Sequence, residues 1–281
     1  MNDRADSMQM LQAFSETYFW KPMLAFYNVF EMGALWEYFD NVALMAPVLD
    51  LGCSDGFVMS VLVGMLGLSK SDVGLDLDFG RLRLARDKGC HGALVRSIGE
   101  KLPFRDDTFG SLISLKTLDA VSDLQLVLRE AGRVVRPAGT LVMTVVTETF
   151  YQHLWPYHFL RALGLHWLAR DYQARVQRRF GCRYRLNADQ WSAQLTAAGW
   201  IVEQVKPFFG PKAIKIHSFL LLKPLRIFGL LFPLRRYPAL TLRLGRVVAW
   251  FLARFVRDTT SDADKGGMVL IVARNMRANG G

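Results

Sequence analysis

The stretch that decides the fold is V-L-D-L-G-C-S-D-G-F, residues 48–57, in which an apolar segment runs into a glycine-rich turn. Two interpretations compete for it. As G-x-S-x-G, with Gly52, Ser54 and Gly56, the turn is the nucleophile elbow of a serine hydrolase. As a strand that ends in Asp50 and a glycine-rich loop, it holds a nucleotide-like cofactor, because glycines let the backbone approach a ligand closely.

The rest of the chain alternates between short apolar segments and segments with helical spacing. We expect helices at Phe57–Leu66, Phe79–Lys88, Ser122–Val135 and from the cap Asn187 to Ala198. We expect strands at Val48–Leu51, Val73–Leu77, Ala93–Arg96, Ser111–Leu115, Thr140–Val146, Trp200–Phe208 and Met268–Arg274. This order predicts an α/β fold with a mostly parallel sheet that is covered by helices on both faces.

The hydrolase interpretation lacks the context that an elbow needs. A hydrolase nucleophile follows several strands, and an earlier strand–helix junction supplies its oxyanion loop. Here the residues before position 48 are helix-like and contain no HGGG-like loop. The order Ser54, Asp119, His153 is available, but almost any chain of 281 residues offers one like it.

The cofactor interpretation has its context. Asp76 ends the second strand about 20 residues beyond the glycine turn, where an acid binds ribose hydroxyls. A dinucleotide fingerprint requires glycine or alanine at position 57, and Phe57 argues against NAD. Asp50 would repel a pyrophosphate but suits a cationic ligand.

Residues 48–146 resemble the core of class I S-adenosylmethionine-dependent methyltransferases, in the branch similar to ubiquinone/menaquinone-biosynthesis methyltransferases. The opening stretch matches the first motif of that family, and V-G-L-D-L-D (73–78) matches its second-strand motif. E-K-L-P-F-R-D-D-T-F (100–109) matches the segment that enters strand four, and L-R-E-A-G-R-V-V-R-P-A-G-T-L (128–141) matches the helix and turn before strand five. The resemblance implies a Rossmann-like fold with seven strands and S-adenosyl-L-methionine as cofactor. It implies cofactor contacts at Asp50, Gly52, Cys53, Ser54, Gly56, Asp76, Leu77, Ile98, Gly99 and Leu115.

The chain departs from the family pattern at three places. Ser54 replaces the middle glycine, which would put its hydroxyl near the methionine moiety. Ile98 stands where relatives often have an aspartate that binds the adenine amino group, so adenine recognition would fall to backbone groups around Ile98 and Gly99. Asp119-Ala120 stand where relatives frequently show an acid followed by histidine.

Methyl transfer needs alignment, and it needs a base where the acceptor carries a proton. The segment Y-Q-H-L-W-P-Y-H (151–158) follows strand five, and within it we expect His153, or else Tyr151, to act as the base. A histidine among aromatic residues can equally be structural.

Basic residues are concentrated in the second half of the chain. Residues 151–257 contain 18 Lys and Arg against three Asp and Glu. Such asymmetry argues for an anionic partner. The absence of an N/D/S-P-P-Y/F segment after strand four, together with the apolar character of the basic stretches, disfavours nucleic acid. Lipid is the better partner, but no uncharged run approaches the roughly 20 residues of a spanning helix.

Residues 241–257 have the pattern of an interfacial helix on anionic lipid. Helical spacing places Arg243, Arg246, Arg254 and Arg257 on one face and Leu244, Val248, Phe251, Leu252 and Phe255 on another. A lid or dimer helix would show the same pattern.

We therefore predict an N-terminal helical cover (1–46), with two helices separated near Lys21-Pro22, and a cofactor-binding core (47–147). A C-terminal half of the same domain (148–281) would carry lid insertions at about 148–186 and 209–266. Three widely spaced cysteines and no signal-peptide pattern favour a cytoplasmic protein without structural disulfides or a metal site. The expected acceptor is quinone-like, polyketide-like or lipid-linked. An RNA-modifying enzyme and a non-catalytic adenosylmethionine-binding protein are the alternatives.

Overall fold

The computed structural model describes residues 22–39, 43–66, 70–221 and 265–277. These residues form two compact units. The helical unit comprises residues 22–36, 149–176, 207–221 and 265–267, and the sheet unit comprises residues 37–39, 43–66, 70–148, 177–206 and 268–277. The predicted helix before Pro22 and the predicted interfacial helix at 241–257 lie outside the described residues.

The sheet has seven strands in the order β3-β2-β1-β4-β5-β7-β6. The strands are β1 (Val48–Leu51), β2 (Ser71–Asp76), β3 (His91–Arg96), β4 (Phe109–Leu115), β5 (Val135–Val146), β6 (Trp200–Phe208) and β7 (Met268–Asn275). Strands β1 to β5 pair in parallel, whereas β7 runs antiparallel to β5. The predicted Rossmann-like, mostly parallel seven-stranded sheet is confirmed.

Helices connect the strands. They are α1 (Pro22–Phe39), α2 (Phe57–Leu66), α3 (Phe79–Lys88), α4 (Leu124–Val134), α5 (Glu148–Gln152), α6 (Trp155–Ala162), α7 (His166–Phe180), α8 (Ala188–Ala197) and α9 (Pro211–Leu221). The predicted cap of α8 is present, because Asn187 Oδ1 accepts from Gln190 N and the Gln190 side chain accepts from Asn187 N. This reciprocal pair satisfies two amides that the first turn leaves open.

An apolar core of the sheet unit forms where β-branched and leucine side chains of the strands meet α4 and α8. Trp191 and Trp200 are fully buried in it. The indole nitrogen of Trp200 donates to the carbonyl of Leu128 at 3.1 Å, so the polar tip of the ring is paired inside the core. The strands that carry the candidate site are thereby held on a packed, rigid support.

Several element boundaries differ from the sequence prediction, and the two at the junction of α4 and β5 and at the start of α4 have a clear physical cause. The segment Arg136–Gly139, predicted as a turn after α4, lies inside β5, and Ala138 has a φ of 59°. Opposite this segment, the register of the pairing with β4 shifts between Phe109 and Ser111. Helix α4 begins at Leu124 rather than Ser122, because the Asp123 carboxylate accepts from Leu126 N and caps it.

The helical unit is organised around an aromatic cluster. The rings of Tyr27, Phe150 and Phe209 lie within 6 Å of the His217 ring, at 5.8, 5.6 and 5.5 Å. Burial lowers the pKa of His217 to about 3. The imidazole is therefore neutral at physiological pH and serves as a packing residue of this unit.

Candidate functional site

A cavity of about 310 Å³ opens in the sheet unit at the carboxyl ends of β1, β2 and β4. Its lining consists of Leu51, Gly52, Leu75, Asp76, Leu77, Ser97, Ile98, Gly99, Glu100, Thr117, Ala120, Val121, Ser122 and Arg183. From β1 the chain adds β2 and β3 on one side of the sheet, and it then crosses to the other side of β1 to form β4. Ligands of open α/β sheets bind at such a switch point.

Gly52 shapes the floor of this cavity. Its φ is 83°, and a Cβ at this position would lie 2.2 Å from Thr117 Oγ1, which is a steric clash. Gly52 N and Cys53 N both donate to the carbonyl of Leu75, at 2.7 and 3.0 Å. The loop is therefore fixed to β2 and has room for a ligand only because position 52 has no side chain.

Asp76 connects the two loops that border the cavity. One carboxylate oxygen accepts from Ser54 N at 2.9 Å and the other accepts from Asp78 N at 2.8 Å. A carboxylate has about four lone-pair sites. Asp76 can therefore hold both loops and still accept hydroxyl groups from a ligand.

Ser54, which the sequence analysis places near the methionine moiety, is hydrogen-bonded to Arg81 in the structure. Its hydroxyl accepts from Arg81 Nη1 at 2.8 Å, and Ser54 does not contribute to the described cavity lining. A nucleophilic serine needs a base on its hydroxyl, and here the partner is a guanidinium cation. The geometry gives the hydrolase interpretation no support.

Asp50 does not line the cavity either. Its carboxylate is buried and lies 2.9 Å from His91 Nε2, whose side chain is only 1% exposed. The His91 ring reaches Asp50 by crossing Gly74, where a Cβ would lie 2.6 Å from His91 Cδ2. Burial by itself would lower the pKa of His91, but the hydrogen bonds with Asp50 and Cys90 and the charge of Asp50 together outweigh it and raise the pKa to about 9. Asp50 thus forms a buried ion pair beneath the loop, a role that the sequence analysis did not predict.

The two cysteines of this region are packing residues. The pKa of the Cys53 thiol is raised mainly by burial and, to a smaller extent, by the negative charge of Asp50. Cys90 Sγ donates to the carbonyl of Gly56 at 3.3 Å and anchors the end of the loop. Cys53, Cys90 and Cys182 are all free and buried. Cys53 and Gly56 therefore support the loop from behind rather than face the cavity.

Two apolar side chains remain uncovered at the cavity wall. Leu77 is 59% exposed and Ile98 is 45% exposed, although both are large and apolar. Such side chains offer apolar faces to a flat ring. Gly99 lies beside Ile98 as predicted, whereas Leu115 is not part of the lining and Thr117, two residues later, takes that place.

The sequence analysis missed several polar lining residues, among them Thr117, Glu100 and Arg183. Glu100 Oε1 accepts from Ser122 N and Asp123 N, at 2.9 and 3.2 Å, and this holds the loop after β4 against the loop after β3. Glu100 lies within the strand-four motif, which is a local signal that could have identified it. Arg183 carries no such signal.

Arg183 reaches the cavity because Asp119 holds its backbone. The carbonyl of Asp119 accepts from Arg183 N at 2.7 Å, and its carboxylate accepts from Cys182 Sγ at 3.3 Å. Burial raises the pKa of Asp119. Asp119, which keeps the acid of the family's acid–histidine pair while Ala120 stands in place of the histidine, is therefore a positioning residue for the segment that contains Arg183.

The two predicted base candidates belong to the helical unit. Tyr151 is fully buried, and its carbonyl accepts from Gln173 Nε2 at 2.7 Å. His153 is partly exposed, and its ring lies 6.0 Å from that of His158. Neither residue contributes to the described lining of the cavity.

Comparison with known proteins identifies the family of the sheet unit. Residues 49–143 match the family model described as a methyltransferase domain. The chain contains a class I S-adenosylmethionine-dependent methyltransferase domain. The resemblance to ubiquinone/menaquinone-biosynthesis methyltransferases that the motifs indicate agrees with the similar proteins described next.

Relatives extend the comparison to individual proteins. The chain is 24% identical, over 46% of its length, to the ubiquinone biosynthesis O-methyltransferase of Mesorhizobium japonicum, and it spans about half (48%) of that relative. It is 27% identical, over 63% of its length, to the demethylmenaquinone methyltransferase of Geobacillus stearothermophilus, 80% of which is covered.

A solved structure shows the same fold. It is an S-adenosylmethionine-dependent methyltransferase of Thermotoga maritima, described as a possible histamine N-methyltransferase, with a TM-score of 0.54 and 15% identity. The match covers 96% of this chain and all of that chain.

The cavity fits the cofactor of this family. The absence of a side chain at Gly52 leaves room for a ligand beside the loop. Asp76 offers acceptors that suit ribose hydroxyls, and Leu77 and Ile98 offer apolar surface that suits an adenine ring.

Proposed function

We propose that this protein transfers a methyl group from S-adenosylmethionine to an oxygen or carbon of a lipophilic acceptor that is quinone-like, polyketide-like or lipid-linked. One observation carries the proposal. The cavity at the carboxyl ends of β1, β2 and β4 combines a glycine floor, the carboxylate of Asp76 and uncovered apolar walls. The matching methyltransferase domain agrees with it.

The residues divide the binding task among them. Asp76 would hold the ribose, Leu77 and Ile98 would flank the adenine, and the backbone of the Gly52 loop would hold the methionine part. When bound, S-adenosylmethionine supplies an activated methyl group on a sulfonium. The contribution of this chain is to fix the geometry of transfer, since positioning by itself accounts for a large part of catalysis in such reactions.

A proton must leave the acceptor when the acceptor is a hydroxyl group. Of the two candidate bases, we favour His153 over Tyr151. Tyr151 is fully buried within the helical unit, whereas His153 is partly exposed to solvent. A base must be able to reach the proton that it removes.

The proposed acceptor class rests on relatives and on composition. The two relatives named above act in quinone biosynthesis according to their names. Residues 151–257 combine apolar stretches with 18 basic residues, which is compatible with an acceptor that resides in or near a membrane.

The proposal can be tested with the purified full-length protein. S-adenosylmethionine carrying a labelled methyl group is incubated with a lipid extract, with short-chain demethylated quinols and, separately, with RNA. We expect label in the lipid or quinol fraction, in a product one methylene heavier than its precursor. Label only in RNA, or binding of the cofactor with transfer to none of the three, would contradict the proposed acceptor class.

The Gly52→Ala variant is the control for this assay. It retains every proposed acceptor contact outside the cofactor loop but places a methyl group where Thr117 now lies. Label that persists unchanged in this variant would show that a contaminating enzyme is responsible.

A further inference from the structure

An uncovered apolar surface lies at the turn between α6 and α7, in the helical unit. Residues 161–167, R-A-L-G-L-H-W, are exposed without interruption. Five large apolar side chains, defined here as the apolar tip, protrude from this hairpin: Trp155, Phe159, Leu163, Leu165 and Trp167, with exposed fractions between 36% and 64%. Water-soluble surfaces rarely carry so many exposed large apolar side chains in so short a segment without a partner.

The apolar tip is ordered along one side of α6. Trp155, Phe159 and Leu163 follow each other at intervals of four residues, and the rings of Trp155 and Phe159 stack at 5.4 Å with an interplanar angle of 10°. The spacing places them on one helical face. Trp155, Phe159 and Leu163 therefore form one apolar strip along α6, and Leu165 and Trp167 extend the exposed apolar surface beyond the turn.

The hairpin that carries the tip is anchored at its base. Trp155 N donates to Ser218 Oγ at 2.8 Å, and Leu154 and Pro156 are buried. On α7, Ala169 is buried and Gln173 donates to the carbonyl of Tyr151. A fixed base under an exposed tip suits a surface that inserts into a partner as a unit.

The charges around the tip favour an anionic partner. Arg161 and Arg170 are exposed, and the one acid among residues 155–175, Asp171, is already paired with Arg175. The pKa of the neighbouring His158 is lowered, first by burial and then by the positive charges of Lys215 and Arg161. Two basic side chains therefore lie near His158 on this side of α6.

We propose that the apolar tip docks the protein on the surface of an anionic lipid bilayer. Tryptophan and phenylalanine would enter the headgroup region while the arginines meet lipid phosphates, which is the arrangement of interfacial helices. A second copy of this chain suits the surface less well, because a two-fold contact would bring the same arginines against each other. None of the helices in the described ranges is long and apolar enough to cross a bilayer. The inference deepens the proposed function, on which it rests for the link to a lipophilic acceptor.

Vesicle flotation of the full-length protein tests the proposal. The probes are vesicles of phosphatidylcholine alone and vesicles with one third phosphatidylglycerol. We expect the wild-type protein to float with the anionic vesicles and to bind them less in high salt, since screening weakens only the charge contribution. The Phe159→Ser/Trp167→Ser double variant should bind at least tenfold more weakly. Both sites are exposed, so the variant should fold normally.

A matched control separates the tip from general surface hydrophobicity. Leu84 and Ile201 are exposed to a similar degree, at 55% and 48%, but lie in the sheet unit. The Leu84→Ser/Ile201→Ser variant should float like the wild-type protein. In the same way, Arg170→Glu should weaken binding and Arg83→Glu, on α3, should not.

Three results would overturn the docking proposal. The first is a wild-type protein that does not float with anionic vesicles, and the second is a tip variant that binds these vesicles as strongly as the wild type. The third is a wild-type protein that is a dimer in size-exclusion light scattering while the tip variant is a monomer. Binding of S-adenosylhomocysteine is measured in parallel. A tip variant that binds it normally keeps the two proposals separate, whereas a wild-type protein that does not bind it refutes the proposed function instead.

Discussion

At the scale of single residues, Gly52 has the most demanding environment in the site. It combines a left-handed backbone with a contact that leaves no space for a methyl group. Its role can be separated from backbone strain because Gly89, the C-cap of α3, has a similar φ of 63°, and a Cβ added there would meet nothing within 4 Å.

We expect Gly52→Ala to weaken binding of S-adenosylhomocysteine by at least 100-fold. The added methyl group would push Thr117 into the cavity or displace the loop, on top of a backbone cost of about 1 kcal/mol. Gly89→Ala should show the backbone cost in thermal unfolding but bind the ligand normally. Calorimetric titration of both variants checks this. Equal loss of affinity in the two would show that strain rather than the contact with Thr117 decides binding.

His153 is the second residue with a testable role. If it removes the acceptor proton, His153→Asn should lower turnover by about 10²- to 10⁴-fold and leave cofactor affinity unchanged. His158→Asn is the matched control, because that ring lies 6.0 Å away on the same segment. Turnover measured from pH 6 to pH 9 is the readout. Wild-type turnover in His153→Asn would mean that His153 is structural.

At the scale of elements, the ion pair between Asp50 and His91 connects β1 with β3 across β2. The folded-state pKa of His91, about 9, lies above the ordinary value of about 6.5. A raised pKa stabilises the folded state fully below about pH 6.5, and this contribution is lost as pH rises through about 9. Burial of Asp50 raises the pKa of its carboxyl and offsets part of this contribution.

We therefore expect the free energy of unfolding to fall between pH 6.5 and pH 9.5 in the wild-type protein. His91→Gln should be less stable at pH 6.5 and should show a flatter curve. His166→Gln, at an exposed histidine, should follow the wild type. Urea unfolding at a series of pH values is the measurement. A His91→Gln curve parallel to that of the wild type would contradict the ion-pair assignment.

The elements that the sequence predicted well are those with strong local patterns. Strands β1 and β6 and helices α2 and α3 have the predicted bounds, because apolar spacing and flanking glycines define them. The predicted start of β5 was wrong, because Pro137 and Gly139 are typical of turns. In the structure, pairing with β4 keeps this segment in the strand as a bulge.

The site was less accessible to sequence reasoning because two of its features are long-range. Asp50 and His91 are 41 residues apart, and only the register of three strands brings them together. Gly74 inside β2 was the available signal, since a glycine within a strand often marks a close approach. Arg183 is held at the cavity by a hydrogen bond from its backbone nitrogen to the carbonyl of Asp119. Such a backbone contact cannot be predicted from residue type or spacing.

At the scale of the whole molecule, the chain combines a methyltransferase sheet unit with a helical unit that carries the apolar tip. The assigned family predicts which cofactor the sheet unit binds, and the proposed acceptor would explain why a lipid-docking surface belongs to the same chain. The proposed function depends on cofactor binding by the cavity next to Gly52 and Asp76.

Calorimetric titration of the full-length wild-type protein with S-adenosylmethionine, S-adenosylhomocysteine and NAD tests that claim most directly. We predict one site per chain for the first two ligands and none for NAD. Asp76→Ala should bind at least tenfold more weakly, because it loses the ribose acceptor and the link between the two loops. Tight binding of NAD, or no heat with either adenosyl ligand, would contradict the assignment of the cavity.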